Sequence, residues 1–303
     1  MLLRKIGPVL AATLAALATL LVPSAAVAAP APAEPPAAAV RTATERAATA
    51  LAAATRQNAA TQAAVTRSGA SPADAAQAGT VQAAAGRPVI VVGGLSGIAT
   101  VYEPLAARLR ADGYRVWIYQ LPNLGLGDIP TSARAFATYV GQVRAAAGGS
   151  TVDVVAHSEG GLVSRYYLKR LGGTGAVGRY VSLGSPQYGT YVANIVTFLG
   201  LGSCAGIVAC QQMTIGSAFL ADLNSGDDTP GSVRYTAVRT LQDELVRPVG
   251  NASLADGATN VLIQSACPLR IVGHLGLVLD GTTYSVIRQA LADAAIRPNC
   301  FAI

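Results

Sequence analysis

The sequence predicts an α/β protein in which a mostly parallel sheet is covered by helices on both faces. From Arg87 onward, short β-branched runs alternate with segments of helical spacing that are ten or more residues long, as a crossover between parallel strands requires. Several runs are almost wholly apolar, which is typical of strands buried on both faces. Working groups are therefore expected at the carboxyl ends of the strands.

The predicted elements follow in order along this region. The first strand, Pro88 to Val92, is an apolar run that ends in the glycine-rich stretch 93–97. The first helix has Leu105 and Leu109 on one face and ends at Asp112-Gly113. Strands are predicted at residues 88–92, 115–120, 151–155, 179–183, 233–239 and 260–264. Helices are predicted at residues 102–111, 131–147, 159–171 and 282–295, and an apolar insertion at about 191–223.

The chain begins with the pattern of an export signal. Arg4 and Lys5 precede an apolar run from Ile6 to Val22, and a small-residue series ends at Ala28, after which cleavage is predicted. The run is too short and too rich in alanine and threonine for a membrane anchor. Residues 29–86 have scarcely a bulky apolar side chain and are predicted to be a pro-segment or flexible stalk. Residues 87–303 form the predicted catalytic domain of a soluble, secreted monomer.

Charge and cysteine content exclude several classes of function. The formal net charge of +6 falls to +4 without the two cations of the predicted signal, which has no acidic residue, and no basic cluster suited to nucleic acid is left. Four cysteines in an exported chain predict disulfides. Three pairings are possible, and the simplest joins Cys204 to Cys210 and Cys267 to Cys300. Two histidines and no C-x-x-C pair argue against a zinc site.

One stretch has the order in which a strand, a sharp turn and a helix hold a nucleophilic serine. The run from Thr151 to Val155 leads through Ala156-His157-Ser158-Glu159-Gly160 into helical spacing. At such an elbow the residues two before and two after the serine crowd each other, and here they are Ala156 and Gly160. Ser158 would then stand at a helix N-terminus, which favours negative charge. A tight turn with a buried serine is the alternative interpretation.

A serine hydroxyl needs a base to take its proton, and the chain offers only His157 and His274. The side chain beside the nucleophile of an elbow points away from the base, so His274 is predicted by elimination. In the chain order of α/β hydrolases, the carboxylate that orients this histidine lies between Ser158 and His274. Asp243 is the best placed, Glu244 is the runner-up and Asp256 is third. The remaining candidates, in the insertion and its exit turn, are predicted to be solvated: Asp222, Asp227 and Asp228.

The oxyanion of an acyl-transfer intermediate needs two preorganised N–H donors. The amide of Glu159, just after the nucleophile, is one candidate, and the amide of Leu95 is by position the other. Gly93 and Gly94 would let the loop approach the substrate closely. A tight turn and nothing more is the alternative, and a phosphate-binding loop is excluded because no Lys-Ser/Thr follows.

With these residues the chain resembles secreted bacterial lipases of the α/β-hydrolase fold, and is similar both to the small Bacillus-type lipases and to the Candida antarctica lipase B group. The resemblance runs from about Arg87 to the C-terminus. It rests on five motifs: Val91-Val92-Gly93-Gly94-Leu95, Ala156-His157-Ser158-Glu159-Gly160-Gly161, Gly184-Ser185-Pro186-Gln187-Tyr188-Gly189-Thr190, Asp243-Glu244-Leu245-Val246-Arg247-Pro248 and Gly273-His274-Leu275-Gly276. Many relatives carry His-Gly at 93–94. Relatives often have Met or Gln at 159, where a carboxylate is expected to disfavour anionic substrates.

The resemblance implies an ester hydrolase without metal or organic cofactor. The sequence favours a secreted triacylglycerol lipase that acts through an acyl-enzyme, possessing no nucleic-acid partner and no stable membrane insertion. The lipase interpretation rests on two apolar segments, Tyr191–Leu223 and Leu121–Ile129, that could wall an acyl pocket or form a lid. A cutinase-like polyester hydrolase, a short-chain esterase, an acyltransferase and a non-catalytic lipid-binding protein remain as alternatives.

Overall fold

A computed structural model describes residues 87–204 and 206–303, so the predicted signal and the 29–86 segment lie outside the described residues. The strands are β1 (Pro88–Val92), β2 (Arg115–Tyr119), β3 (Val152–His157), β4 (Val177–Leu183), β5 (Arg234–Arg239) and β6 (Thr259–Leu262). All neighbours pair in parallel, in the order β2-β1-β3-β4-β5-β6. The predicted parallel sheet is confirmed.

Helices cover both faces of this sheet. They are α1 (Ala99–Ala111), α2 (Ile129–Ala146), α3 (Glu159–Arg170), α4 (Val192–Leu199), α5 (Val208–Gln212), α6 (Ala218–Leu223), α7 (Ile263–Ala266) and α8 (Gly281–Leu291). Two of the long helices begin at aspartate caps, because Asp128 accepts from the amide of Thr131 and Asp280 from the amide of Thr283, each at 2.8 Å. None of the described helices is long and apolar enough to cross a membrane.

Strand β1 shows how the sheet is buried on both sides. Val89 and Val91 pack into one apolar core with α1 and α8, while Ile90 and Val92 pack into the other with α2, α3 and the insertion. All four are at most 1% exposed. Full burial of such a side chain contributes roughly 1.5–3 kcal/mol, so this short strand anchors both layers. The loops at the carboxyl ends of β1 and β3 are held by these cores.

The closing helix is shorter than its sequence predicts, because it ends at Leu291 rather than Ala295. Asp293 has a φ of 56°, which no helix accepts. Its carboxylate binds the guanidinium groups of Arg179 and Arg234. These ion pairs with β4 and β5 stabilise the turn that stops the helix.

Two disulfides link the irregular parts of the chain. Cys204 pairs with Cys210 inside the insertion, and Cys267 pairs with Cys300 across 33 residues of sequence. This is the simplest of the three pairings that the sequence allows. Disulfides of this kind fit an oxidising, extracellular compartment.

Candidate active site

Ser158 lies at the sharp turn between β3 and α3. Its φ of 54° and ψ of −129° are outside the regions that side chains prefer, as the elbow interpretation requires. The close approach of the loop after β1 explains why a glycine, Gly160, stands two residues after the serine. A Cβ added at Gly160 would lie 2.4 Å from the carbonyl oxygen of Gly93, and one added at Gly94 would lie 2.7 Å from Cβ of Ser158. No side chain fits at either position.

The imidazole of His274 faces the carboxylate of Asp243. Its Nδ1 is 3.0 Å from both Asp243 oxygens, and each side chain is 1% exposed. Oδ1 of Asp243 also accepts hydrogen bonds from the amides of Leu245, at 2.9 Å, and Val246, at 2.7 Å. The carboxylate is therefore fixed from two sides, and it leaves the other ring nitrogen of His274 as the proton acceptor.

Burial and charge act in opposite directions on this pair. Burial alone would raise the pKa of Asp243, but the charge and hydrogen bond of His274 and the two amides outweigh it, so the pKa is lowered. Burial alone would lower the pKa of His274, but the charge and hydrogen bond of Asp243, followed by the charge of Glu244, hold the pKa above its ordinary value. The environment thus stabilises the imidazolium that forms when His274 takes a proton.

The neighbouring candidate acids have other partners. Oε2 of Glu244 accepts from the backbone amide of His274 at 2.9 Å, so it holds the loop and not the ring. Asp256 accepts from the amide of Asp228 at 2.9 Å. Asp228 itself is 2% exposed and binds Arg165. The expectation that Asp228 is solvated is wrong, because this buried arginine requires an anionic partner.

Ser158 and His274 line one cavity. Nε2 of His274 is buried and has no hydrogen-bond partner among the described residues, so the bond from the Ser158 hydroxyl that general-base catalysis needs is not formed in this structure. In enzymes without substrate that bond is often long, and it shortens when the substrate complex forms. The nitrogen is thus left available on the side where a base must act.

His157 lies against His274, with ring centroids 4.7 Å apart, and so does not point away from it as predicted. Its Nδ1 is 3.1 Å from the hydroxyl of Tyr102 and its Nε2 is 3.2 Å from the carbonyl oxygen of His274. Burial, followed by the proximity of His274, lowers the pKa of His157 to about 3. With both nitrogens engaged, His157 has no free position from which to serve Ser158.

The glycine loop, residues 93–97, presents one free amide. The amide of Gly93 donates to Tyr119 and that of Gly94 to the Tyr102 hydroxyl. Those of Ser96 and Gly97 donate to Leu124 and Gly94. Only the amide of Leu95 has no acceptor among the described residues. Leu95 lines the cavity, and the amide of Glu159, at the first position of α3, has no partner within the helix.

The cavity is mainly apolar. Loops and the insertion contribute its walls, and its lining residues are Leu95, Gly97, Val101, Tyr102, His157, Ser158, Pro186, Thr190, Ile195, Phe198, Met213, Leu245, Val246, His274 and Leu275. Ile195 and Phe198 come from α4, so part of the apolar insertion forms a wall as expected. Three large side chains of the other apolar segment do not form a wall. They are at most 1% exposed and lie within the core: Leu121, Leu126 and Ile129. These three apolar side chains of the 121–129 segment are therefore core and do not wall the cavity.

Glu159 differs from its expected role beside the substrate. Its side chain is fully buried, and an added Cβ on Gly125 would lie 2.4 Å from its Oε2. Neither carboxyl oxygen has a hydrogen-bond partner in the described part of the chain. Burial raises the pKa of Glu159 well above its ordinary value, because the apolar surroundings disfavour the charged form. The side chain is buried against Gly125 and is not among the residues that line the cavity, so it does not lie beside the substrate position as expected.

The described residues contain no group of three or more His, Cys, Asp or Glu side chains that could hold a metal ion. Two positions of the site carry no signal that sequence reasoning used. Tyr102 occupies an apolar helix face, where an aromatic residue is usually core, and the inward direction of Glu159 depends on the close approach of Gly125.

Comparisons with known proteins agree with this geometry. A family model described as the alpha/beta hydrolase fold matches residues 87–205. The chain has the α/β-hydrolase fold. The chain is 28% identical to a triacylglycerol lipase from Burkholderia plantarii over 168 residues, 52% of this chain and 46% of that protein. It is 24% identical to lipase B from Pseudozyma antarctica over 225 residues, 70% of this chain and 64% of that protein.

Solved structures share this α/β-hydrolase fold. Lipase B from Aspergillus fumigatus has a TM-score of 0.60 at 22% identity, covering 70% of this chain and 53% of that one. The mature form of a Bacillus licheniformis lipase has a TM-score of 0.56 at 18% identity, covering 69% and 93%. This chain spans about half the length of the curated triacylglycerol lipases that it matches. The predicted resemblance to lipases of this fold is confirmed.

Proposed function

We propose that this chain is a secreted carboxylic-ester hydrolase that acts on acylglycerols through a Ser158–His274–Asp243 triad. The observation that carries the proposal is the buried pair of His274 and Asp243, whose free Nε2 shares an apolar cavity with a serine in strained elbow geometry. A binding protein needs no such arrangement of base, acid and nucleophile.

In the proposed reaction, Ser158 Oγ attacks the ester carbonyl while Nε2 of His274 takes the hydroxyl proton. Asp243 keeps the other ring nitrogen protonated and stabilises the positive ring. The amides of Leu95 and Glu159 bind the oxygen that becomes negative in the tetrahedral intermediate. His274 then gives its proton to the leaving alcohol, and a water molecule activated by the same nitrogen releases the acid.

An acyl chain is the substrate part that suits the cavity. Ile195, Phe198 and Met213 of the insertion and Leu245 and Val246 of the acid loop offer apolar contact. The names of the matched relatives, triacylglycerol lipase and lipase B, agree with an acylglycerol as the substrate. A cutinase-like polyester hydrolase and a short-chain esterase would use the same triad, and the length of chain accepted distinguishes them.

Hydrolysis of p-nitrophenyl butyrate by the purified protein tests the proposal. Ser158→Ala should abolish the reaction and keep the circular dichroism spectrum and the melting temperature of the wild type. Ser265→Ala, which alters an exposed serine on α7, is the matched control and should keep full activity. Full activity in Ser158→Ala would refute the assignment.

Substrate class and export are tested separately. A lipase should hydrolyse emulsified long-chain triolein as well as tributyrin, whereas an esterase should accept tributyrin alone and a cutinase-like enzyme should also release monomers from an aliphatic polyester. Export with cleavage after Ala28 predicts a secreted form that begins at Ala29, which N-terminal sequencing measures. A start at about residue 87 would instead show that the 29–86 segment is removed.

A further inference from the structure

The glycine loop is wrapped around the side chain of Tyr102. This residue lies in the first turn of α1 and is 2% exposed. A Cβ added at Gly93 would lie 2.8 Å from Cε2 of the ring, and one added at Gly97 would lie 2.6 Å from its hydroxyl oxygen. The loop has no side chain of its own at 93 or 94, so the tyrosine supplies the support from another element.

A buried chain of hydrogen bonds starts from this hydroxyl, and the partners fix its direction. The amide of Gly94 can only donate, at 2.8 Å, so the Tyr102 oxygen accepts it. The hydroxyl proton then goes to Nδ1 of His157 at 3.1 Å. With Nδ1 accepting, the neutral imidazole carries its proton on Nε2, which donates to the carbonyl oxygen of His274 at 3.2 Å. The tautomer of His157 with its proton on Nε2 therefore satisfies the Gly94 amide, the Tyr102 hydroxyl, the imidazole of His157 and the carbonyl oxygen of His274.

The two side chains in the middle of this chain are held neutral. Burial lowers the pKa of His157 to about 3, and burial raises the pKa of Tyr102. A neutral ring at 157 matters because its centroid is 4.7 Å from the ring of His274, which becomes positive during catalysis. A second cation at that distance would oppose the proton transfer.

We propose that Tyr102 and His157 are positioning residues that tie the oxyanion loop to the backbone of the catalytic base, an inference that rests on the proposed function. The Tyr102 hydroxyl accepts the hydrogen bond from the amide of Gly94 and so fixes the loop at the residue before Leu95, which lines the cavity. His157 carries the same link to residue 274. The donor to the oxyanion and the acceptor of the serine proton are thus set by one connected group.

Kinetics of Tyr102→Phe test the first half of this link. Loss of a direct oxyanion donor costs about 10²–10³ in kcat, and loss of its support should cost less, about tenfold or more, with KM nearly unchanged. Tyr139→Phe is the matched control, since it removes one hydroxyl bond to a backbone carbonyl outside the cavity, and it should leave kcat unchanged. Wild-type kcat in a folded Tyr102→Phe protein would overturn the proposal.

A double-mutant cycle tests the connection itself. His157→Gln places a side-chain nitrogen near the former Nε2 but cannot accept from Tyr102 at Nδ1. If the two residues act as one unit, the double variant Tyr102→Phe/His157→Gln should lose little more kcat than the worse single variant. Losses that multiply would show two independent effects and contradict the link.

Nuclear magnetic resonance tests the link without any activity measurement. The chain has two histidines, so ¹⁵N-histidine labelling gives signals from two rings alone. The wild type should show one neutral ring with its proton on Nε2 that does not titrate down to about pH 4, since its pKa is about 3. That signature in a protein without esterase activity would refute the proposed function and leave the link standing. A proton on Nδ1 of His157 in an active wild type would overturn the link alone, including where Tyr102→Phe fails to fold.

Discussion

Glu159 offers a sharp test of the electrostatics beside the nucleophile. Its carboxyl is fully buried without a hydrogen-bond partner among the described residues, and Gly125 packs directly on it. Burial is the cause of its raised pKa. Glu159→Gln keeps the shape of the side chain and the backbone amide of the proposed oxyanion hole, but cannot ionise.

The magnitude follows from proton linkage. The pKa of Glu159 is raised in the folded state, so above the ordinary value of 4.5 the unfolded chain releases a proton that the folded protein keeps. The contribution of Glu159 to the stability of the wild type is therefore fully present below this pH and falls as pH rises toward the raised pKa, by about 1.4 kcal/mol for each pH unit. The glutamine side chain does not titrate, so the variant does not lose this stability. Its free energy of unfolding should therefore rise relative to that of the wild type by the same amount for each pH unit.

Melting temperatures measured at half-unit steps from pH 4 to pH 8 check this expectation. For a domain of this size, 1 kcal/mol shifts the melting temperature by about 2–4 °C, so the variant should gain about 3–5 °C per pH unit between the ordinary value of 4.5 and the raised pKa. Near pH 4 the two proteins should be similar, because each buries one neutral, unpaired polar group. Glu103→Gln, which alters a glutamate exposed on α1, is the control and should follow the wild type.

Two outcomes would show that burial does not raise the pKa of Glu159 in the folded protein. If the melting temperatures of the variant and the wild type differ by the same amount at every pH, Glu159 ionises equally in the folded and unfolded states. A variant that loses stability as pH rises would show a folded carboxylate with a stabilising partner. Ester hydrolysis by Glu159→Gln should stay near the wild-type rate, because only its backbone is assigned to the reaction.

Three further predictions follow from the geometry. Asp243→Asn should lower kcat by about 10⁴ in the ester assay, whereas Glu244→Gln should cost much less; the reverse order would show that the wrong carboxylate was assigned. Gly160→Ala should destabilise the fold by about 1–3 kcal/mol in urea unfolding, because its Cβ meets a carbonyl oxygen at 2.4 Å, while Gly141→Ala, which meets no atom within 4 Å, should not. Removing the Cys267–Cys300 disulfide, which spans 33 residues, should cost about 3–4 kcal/mol in the same measurement, and an unchanged midpoint would contradict this.

The sheet was predictable because its strands carry a strong local signal. The run from Pro88 to Val92 is apolar throughout and is followed by two glycines, and the structure forms a strand over the same residues. The end of α8 was not predictable, since it depends on ion pairs from Asp293 to arginines on β4 and β5. Those contacts join positions more than fifty residues apart in sequence.

The candidate site divides in the same way. Ser158 and His274 were predicted from a turn motif and from the small number of histidines. The choice between Asp243 and Glu244 depends on which of two adjacent side chains faces the imidazole, and only coordinates give that direction. The contact of His157 with His274 was mispredicted because motif reasoning fixes the backbone of the elbow but not the rings that pack beneath it.

Covalent labelling measures directly whether Ser158 is a nucleophile that His274 activates. A fluorophosphonate probe followed by peptide mass spectrometry should place one adduct on Ser158, with esterase activity lost in proportion to labelling. Labelling should be absent in Ser158→Ala and much slower in His274→Ala. An adduct on another residue, or full ester hydrolysis by protein that the probe does not label, would contradict the account.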